Sequence, residues 1–154
     1  MGQKANPNSI RLILNKDWKS KWFSQKNYAI YIIEDVMLRK AIEDKLGKSA
    51  GIALVNIDRD PQRISITIHT SKPGILIGRS GQGINDLTAF LENQLLKIRN
   101  NMLYSVRKNL SKESGKKDLS RKIKLDIVEV KNPELNAELI AQNIASQLEK
   151  RIAY

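Results

Sequence analysis

In the middle of this chain the hydrophobic period changes from that of a strand to that of a helix, and the change falls on a pair of glycines. Ile64, Ile66 and Ile68 alternate with Ser65, Thr67 and His69, the period of a strand with one buried and one wet face. Ile84, Leu87, Leu91, Leu95, Ile98 and Met102 then recur at steps of three and four, the period of one amphipathic helix. Between them runs Gly74-Ile75-Leu76-Ile77-Gly78-Arg79-Ser80-Gly81-Gln82-Gly83-Ile84. Gly78 and Gly81 can turn sharply or approach a phosphate, because neither carries a Cβ. Arg79 and Ser80 supply a cation and a hydroxyl donor at the tip. A helix beginning near Gly81 would aim its first N–H groups at the same spot, which favours anions. The stretch reads as a phosphate-backbone clamp. Gly83 would cost about 1 kcal/mol in a helix interior, and near the start it reads as a small residue that lets a ligand approach.

The flanking chain supplies the scaffold. From Glu34 to Leu46, Met37, Leu38, Ala41, Ile42 and Leu46 keep helical spacing, with Gly47 as a C-cap. Ile52 to Asp58 reads as a strand paired with Ile64 to His69 through a turn at Asp60-Pro61-Gln62. Ile123, Leu125 and Ile127 alternate with Lys124 and Asp126, giving a third strand that ends near Val130. Asn132-Pro133-Glu134 predicts a helix start, combining a capping side chain, a proline and an acid. That final helix would carry Leu135, Leu139, Ile140, Ile144, Leu148 and Ile152. Residues 97 to 122 are basic and loosened by Ser111, Ser114, Gly115 and Ser120, and read as a helix end followed by a mobile basic loop. A solvated spacer without contacts is the alternative.

Charge narrows the ligand. The 154 residues hold 27 Lys+Arg against 16 Asp+Glu, a net charge of +11, which favours polyanions. Residues 1 to about 27 mix Lys4, Arg11, Lys16, Lys19, Lys21 and Lys26 with Trp18, Trp22 and Phe23. Such an arm suits RNA, with cations on phosphates and rings on bases. The aromatics fit equally well as packing on the domain's own core. The absence of cysteine removes disulfides and thiolate metal sites. No apolar run approaches the roughly 20 residues that span a bilayer. Asn6 occupies the place where a myristoylation signal needs Ser or Thr. Enzymatic readings find little support. No Gly-x-x-x-x-Gly-Lys stretch exists, and Gly78, Gly81 and Gly83 lack the dinucleotide-binding spacing. His69 is the only histidine, and Asp58 and Asp60 flank a turn where carboxylates satisfy backbone donors. No catalytic residue, cofactor, metal site, membrane contact or small-molecule substrate is expected.

Helix, strand, strand, glycine loop with helix, strand is the order of a type II KH domain, and Gly78-Arg79-Ser80-Gly81 resembles its G-x-x-G loop. The expected class is α+β: a three-stranded sheet packed by helices on one face, with an extended basic N-terminal arm and a C-terminal helix. The likeness goes further. Met1-Gly2-Gln3-Lys4-Ala5-Asn6-Pro7 with Ile10-Arg11-Leu12 resembles the opening of the bacterial-type small-subunit ribosomal protein S three family. So do the Trp18 to Phe23 segment, Thr67 to Gly74 running into Ile77-Gly78, Val128 to Leu135, and Ala145 to Arg151.

The resemblance implies a structural ribosomal protein of the small-subunit head, bound to its rRNA and to neighbouring ribosomal proteins, in a bacterial cytoplasm or an organelle. It carries RNA contacts onto Gly2, Gln3, Lys4, Asn6 and Arg11 of the arm and onto Gly78, Arg79, Ser80 and Gly81 of the loop. Lys19 and Lys72 join them as RNA-facing cations. Lys150 and Arg151 lead toward the family's basic cluster where messenger RNA enters. The implied division is an arm over 1–32, a KH domain over 33–131 with a basic insertion at about 99–121, and a C-terminal helix over 132–154. The family continues into a second α/β domain, so one half of a split protein, an organellar or reduced form, or a truncated form is expected. A free-standing KH regulator of single-stranded RNA, or an assembly factor, is the alternative function.

Overall fold

The computed structural model describes residues 2–12, 14–25, 27–47, 50–60, 63–106 and 122–151. Its elements are α1 (Pro7–Arg11), β1 (Ser20–Lys21), α2 (Tyr28–Leu46), β2 (Ile52–Arg59), β3 (Arg63–Thr70), α3 (Pro73–Ile77), α4 (Gln82–Val106), β4 (Lys122–Glu129) and α5 (Ala137–Glu149). The expected hairpin is present: β2 and β3 are antiparallel, with Ile57 opposite Ile66. β4 lies parallel to β3 on its other side, from Arg63↔Lys122 to Thr70↔Glu129. A parallel neighbour requires a crossover, and α3 and α4 lie in that connection. The fold is α+β, with α2 and α4 packed on one face of the sheet. The sheet has four strands rather than three, in the order β1-β2-β3-β4.

Odd positions of β2 and even positions of β3 share the covered face. Val55, Ile57, Ile64, Ile66 and Ile68 meet Leu38 and Ile42 of α2 and Leu87, Leu91 and Leu95 of α4 in one buried cluster. Each such side chain contributes about 1.5–3 kcal/mol by leaving water. The strand period of β3 and the helical periods of α2 and α4 are therefore the two sides of one interface. Asn56, Ser65, Thr67 and His69 line the opposite face, half-exposed.

Several boundaries differ from the sequence reading. The arm is not uniformly extended, because Asn6 caps and Pro7 opens the short α1. α2 begins at Tyr28, so the apolar run 28–33 is helical. α3 was not expected; Pro73 opens it and Leu76 is its buried side chain. α4 continues through Val106, since no Gly or Pro interrupts residues 97–106. The basic loop expected beyond it falls on 107–121, outside the described residues, as do Lys26, Pro61, Gln62 and Ile152. Asn132 does not cap a helix: Pro133–Leu135 close a single tight turn, and Asn136 is extended. The side-chain oxygen of Asn136 instead accepts the Glu138 and Leu139 N–H groups and starts α5.

The covered face also holds charge. Glu34 sits one turn before Leu38, Arg59 continues the inward phase of Val55 and Ile57, and Arg99 lies one turn beyond Leu95. With Asp35 they are all buried, at 1%, 5%, 9% and 8% exposure for Glu34, Asp35, Arg59 and Arg99. Arg59 Nη1 donates to Glu34 Oε2 at 2.5 Å and its Nε to Asp35 Oδ1 at 2.8 Å. Arg99 Nε donates to Glu34 Oε1 at 2.7 Å. The Arg59 guanidinium lies 4.9 Å from the centre of the Tyr31 ring. Arg59→Met would leave two buried carboxylates facing one guanidinium. It should lower stability by about 3–5 kcal/mol, read as a lower urea midpoint at unchanged slope.

Candidate nucleic-acid interface

The glycine loop is built from backbone turns. α3 ends at Gly78 (φ 66°), whose N–H donates to Gly74 O at 3.0 Å. A tight turn follows over Arg79–Gly81, with Ser80 at φ 55°, ψ 26° and Gly81 at φ 77°. Three of the four loop residues thus occupy the left-handed region, which side chains other than glycine's adopt at a cost. Ser80 bears that cost at the tip, a pattern that concentrates at binding sites. α4 begins directly after, at Gln82, whose N–H donates to Arg79 O and closes the turn onto the helix. Gly78, Arg79 and Ser80 are exposed and Gly81 is half-buried. Lys72 is exposed just before α3, where its N–H donates to Thr70 Oγ1 at 3.0 Å. That hydroxyl in turn donates to Ala50 O at 2.6 Å.

Gly83 has a different role from the one its position suggested. A Cβ there would stand 2.5 Å from Leu76 O and 3.0 Å from Ile77 O. The glycine lets α4 pass under the last turn of α3, so it serves the fold rather than a ligand. Gly78 shares the crowding, since its Cβ would meet Gly83 N at 3.1 Å.

The arm forms a second group. Gly2, Gln3, Lys4, Asn6 and Arg11 are exposed. The Asn6 side chain is partly committed, because its Oδ1 accepts the Asn8 N–H at 2.8 Å. Arg11 Nη1 donates to Pro7 O at 2.8 Å and remains in solvent. The Lys19 side chain is exposed, while its carbonyl accepts from Ile57 N at 3.0 Å and from Arg39 Nη2 at 2.8 Å. Lys21 pairs with Asp17; their mutual hydrogen bond raises the amine pKa and lowers the carboxyl pKa. The aromatics divide. Trp22 packs edge-on against Tyr28 and Tyr31, and its indole N–H donates to Asp35 Oδ2 at 2.8 Å. Trp18 and Phe23 stay in solvent, at 63% and 85% exposure.

Lys150 and Arg151 form a third group at the end of α5, both exposed, with Arg151 at φ 52°. α5 is tied to the sheet at its other end, where Leu139 is buried and Gln142 Nε2 donates to Ile52 O at 3.0 Å. The structure therefore places residues 78–81 on one loop after α3, Lys72 just before α3, and the arm and α5 residues on separate elements. Strand register separates the loop from the root of the arm. β2 begins beside the end of β3, with Ile52 opposite Thr70, and the loop follows from there. β1 runs parallel to β2 but pairs with its far end, Ser20 opposite Ile57 and Lys21 opposite Asp58, so the root of the arm lies toward the other end of the strand from the loop. No group of three or more His, Cys, Asp or Glu side chains that could hold a metal occurs among the described residues. None of their helices is long and apolar enough to cross a membrane.

A glycine turn thus stands between a strand hairpin and a long amphipathic helix. The chain belongs to the KH domain family, whose model matches residues 37–135. Along its whole length it is similar to bacterial proteins named small ribosomal subunit protein uS3. It is 43% identical over 155 residues to that of Caldicellulosiruptor saccharolyticus, 44% to that of Desulforamulus reducens and 41% to that of Clostridium perfringens. The chain spans 59% of the length of these relatives.

Sequence reasoning missed Asp35 and Arg39 of α2, which grip the arm, and the charges behind them. Their signal was present: Glu34, Arg59 and Arg99 all stand at positions in phase with the apolar face. Gly83→Ala tests the close packing of the loop. Helix propensity alone would gain about 1 kcal/mol, yet the clash with Leu76 O should leave the variant less stable by about 1–3 kcal/mol, measured by urea unfolding.

Proposed function

We propose that this chain is a structural, rRNA-binding component of the small ribosomal subunit that supports translation. The observation that carries this reading is the similarity, along the whole of this chain and 59% of theirs, to proteins named small ribosomal subunit protein uS3. The work is binding rather than catalysis. The proposed division is an arm over 1–32, the KH domain over 33–131 and a C-terminal helix over 132–154. In this reading the arm (Gly2, Gln3, Lys4, Asn6, Arg11, Lys19) and the loop (Lys72, Gly78, Arg79, Ser80, Gly81) hold rRNA in the subunit head, beside neighbouring ribosomal proteins. Lys150 and Arg151 lie toward messenger RNA. The bacterial relatives support a bacterial cytoplasmic ribosome as the location.

The physical basis is phosphate recognition. Exposed cations on the arm release counterions when they meet the RNA backbone, a gain that shrinks as salt rises. The loop adds N–H donors and Arg79 at a point where no Cβ of Gly78 or Gly81 holds the phosphate off. Such contacts position RNA without reading its sequence.

Three experiments test the proposal. The chain should co-sediment with small subunits through a high-salt wash, whereas release into the supernatant would favour a transient assembly factor. Arg79→Asp combined with Ser80→Asp should weaken binding to a small-subunit rRNA transcript by roughly tenfold or more, with a salt slope shallower by about one unit. Deleting residues 2–11 should also lower affinity while leaving the core folded. Unchanged affinity of the folded loop variant would remove the loop from the interface.

A further inference from the structure

We propose that the Asp35–Arg39 face of α2 is a clamp for the root of the arm, which makes Trp22, Asp35 and Arg39 positioning residues for RNA binding. The inference rests on the reading that the arm contacts RNA.

β1 is two residues long, and a pairing that short does not hold an arm by itself. Side chains of α2 complete the attachment at two points, one turn apart. The Arg39 guanidinium spans two strands: Nη1 donates to Val55 O of β2, and Nη2 donates to Lys19 O and Ser20 Oγ of the arm at 2.8 Å each. Burial lowers the Arg39 pKa from its ordinary value, yet a guanidinium stays charged, so these are charge-assisted bonds. Asp35 divides its two oxygens. Oδ1 takes Arg59 Nε at 2.8 Å and Nη2 at 2.5 Å, while Oδ2 faces outward and takes the Trp22 indole N–H at 2.8 Å. The Trp22 ring then rests edge-on against Tyr28 and Tyr31, with centroids 5.5 and 5.4 Å away. Asp35 is thereby oriented from behind by a buried arginine and presents one fixed acceptor to the arm.

Outside the root the described contacts are local. Asn6 bonds Asn8, Arg11 bonds Pro7 and Lys16 bonds Asn8, while Ile10, Leu14 and Trp18 are exposed. The arm therefore has a root fixed over Lys19–Trp22 and an outer part whose hydrogen bonds, among the described residues, are its own. Fixing the root limits the volume that the outer cations can sample. Two attachment points to one polyanion then act at high effective concentration, and less ordering remains to be done on binding.

The test uses the full 154-residue chain with Trp22→Phe, which keeps the ring and removes the donor, and Arg39→Lys, which keeps the charge and removes the fork. The Ile57 amide, which donates to Lys19 O, reports the root directly. Its hydrogen exchange should rise by at least roughly tenfold relative to the Ile66 and Ile68 amides of β3. Affinity for a small-subunit rRNA transcript should fall about tenfold in the intact chain, against less than about twofold in a chain lacking residues 2–11. Equal losses in both backgrounds would mean a purely structural role, and unchanged Ile57 exchange would mean no clamp; either overturns the inference. If deleting residues 2–11 leaves affinity untouched, the arm's part in RNA binding fails as well. The exchange measurement, made without RNA, keeps the two failures distinct.

Discussion

The structure turns on four charges placed where apolar side chains would otherwise stand. Glu34, Asp35, Arg59 and Arg99 are each buried, and desolvating one such ion unpaired would cost several kcal/mol. They persist because two guanidiniums meet two carboxylates in hydrogen-bonding geometry, with Arg59 shared between both acids. A buried pair of this kind is weak evidence of net stabilisation, since an apolar replacement of equal volume often does as well. Its consequence is geometric. An isoleucine face tolerates sliding, whereas a forked guanidinium between two carboxylates does not. The cluster fixes how α2, the end of β2 and the middle of α4 lie against one another, and Trp22 attaches the arm to the same point.

The glycine loop depends on that fixed frame differently. Its turn is set by φ values at Gly78, Ser80 and Gly81, and by the close passage of Gly83 beneath Leu76 O. These are short-range constraints between α3 and α4. The cluster holds α4 against α2 through Arg99, while Leu87, Leu91 and Leu95 hold it against the sheet. The loop is the exposed end of a helix anchored over several turns. Strain at Ser80 can be maintained there because the flanking helices over-determine the turn.

What the sequence disclosed follows the range of the interaction involved. The β2–β3 hairpin, β4 and the apolar stripe of α4 were legible because alternation and helical spacing each record a burial face residue by residue. α3 was not legible, since five residues hold barely one turn and Pro73 with Leu76 is a faint signature. Asn132 and Asn136 are both able caps, and the choice between them depends on the tight turn at Pro133, which no local rule fixes. The KH loop was readable as a motif, yet Gly83 was assigned to a ligand when its neighbour is a carbonyl only seven positions earlier. The buried charges were the least legible. Each stands in phase with the core, but pairing Glu34 with Arg99 requires knowing that α2 and α4 meet.

Buried and exposed arginines in this chain therefore do separate work. The cluster holds two cations and two anions, so it removes nothing from the net charge of +11. The whole excess lies outside it, on other residues of the chain. Exposed ion pairs such as Lys21–Asp17 and Lys124–Asp126 contribute little, because water screens them. A diffuse positive field attracts any polyanion and fixes no orientation. Orientation has to come from groups held at set positions, and the buried cluster, whose formal charges cancel, ties α2, β2 and α4 together. The core guanidiniums are occupied by carboxylates, whereas the Arg79 side chain at the tip of the loop is exposed.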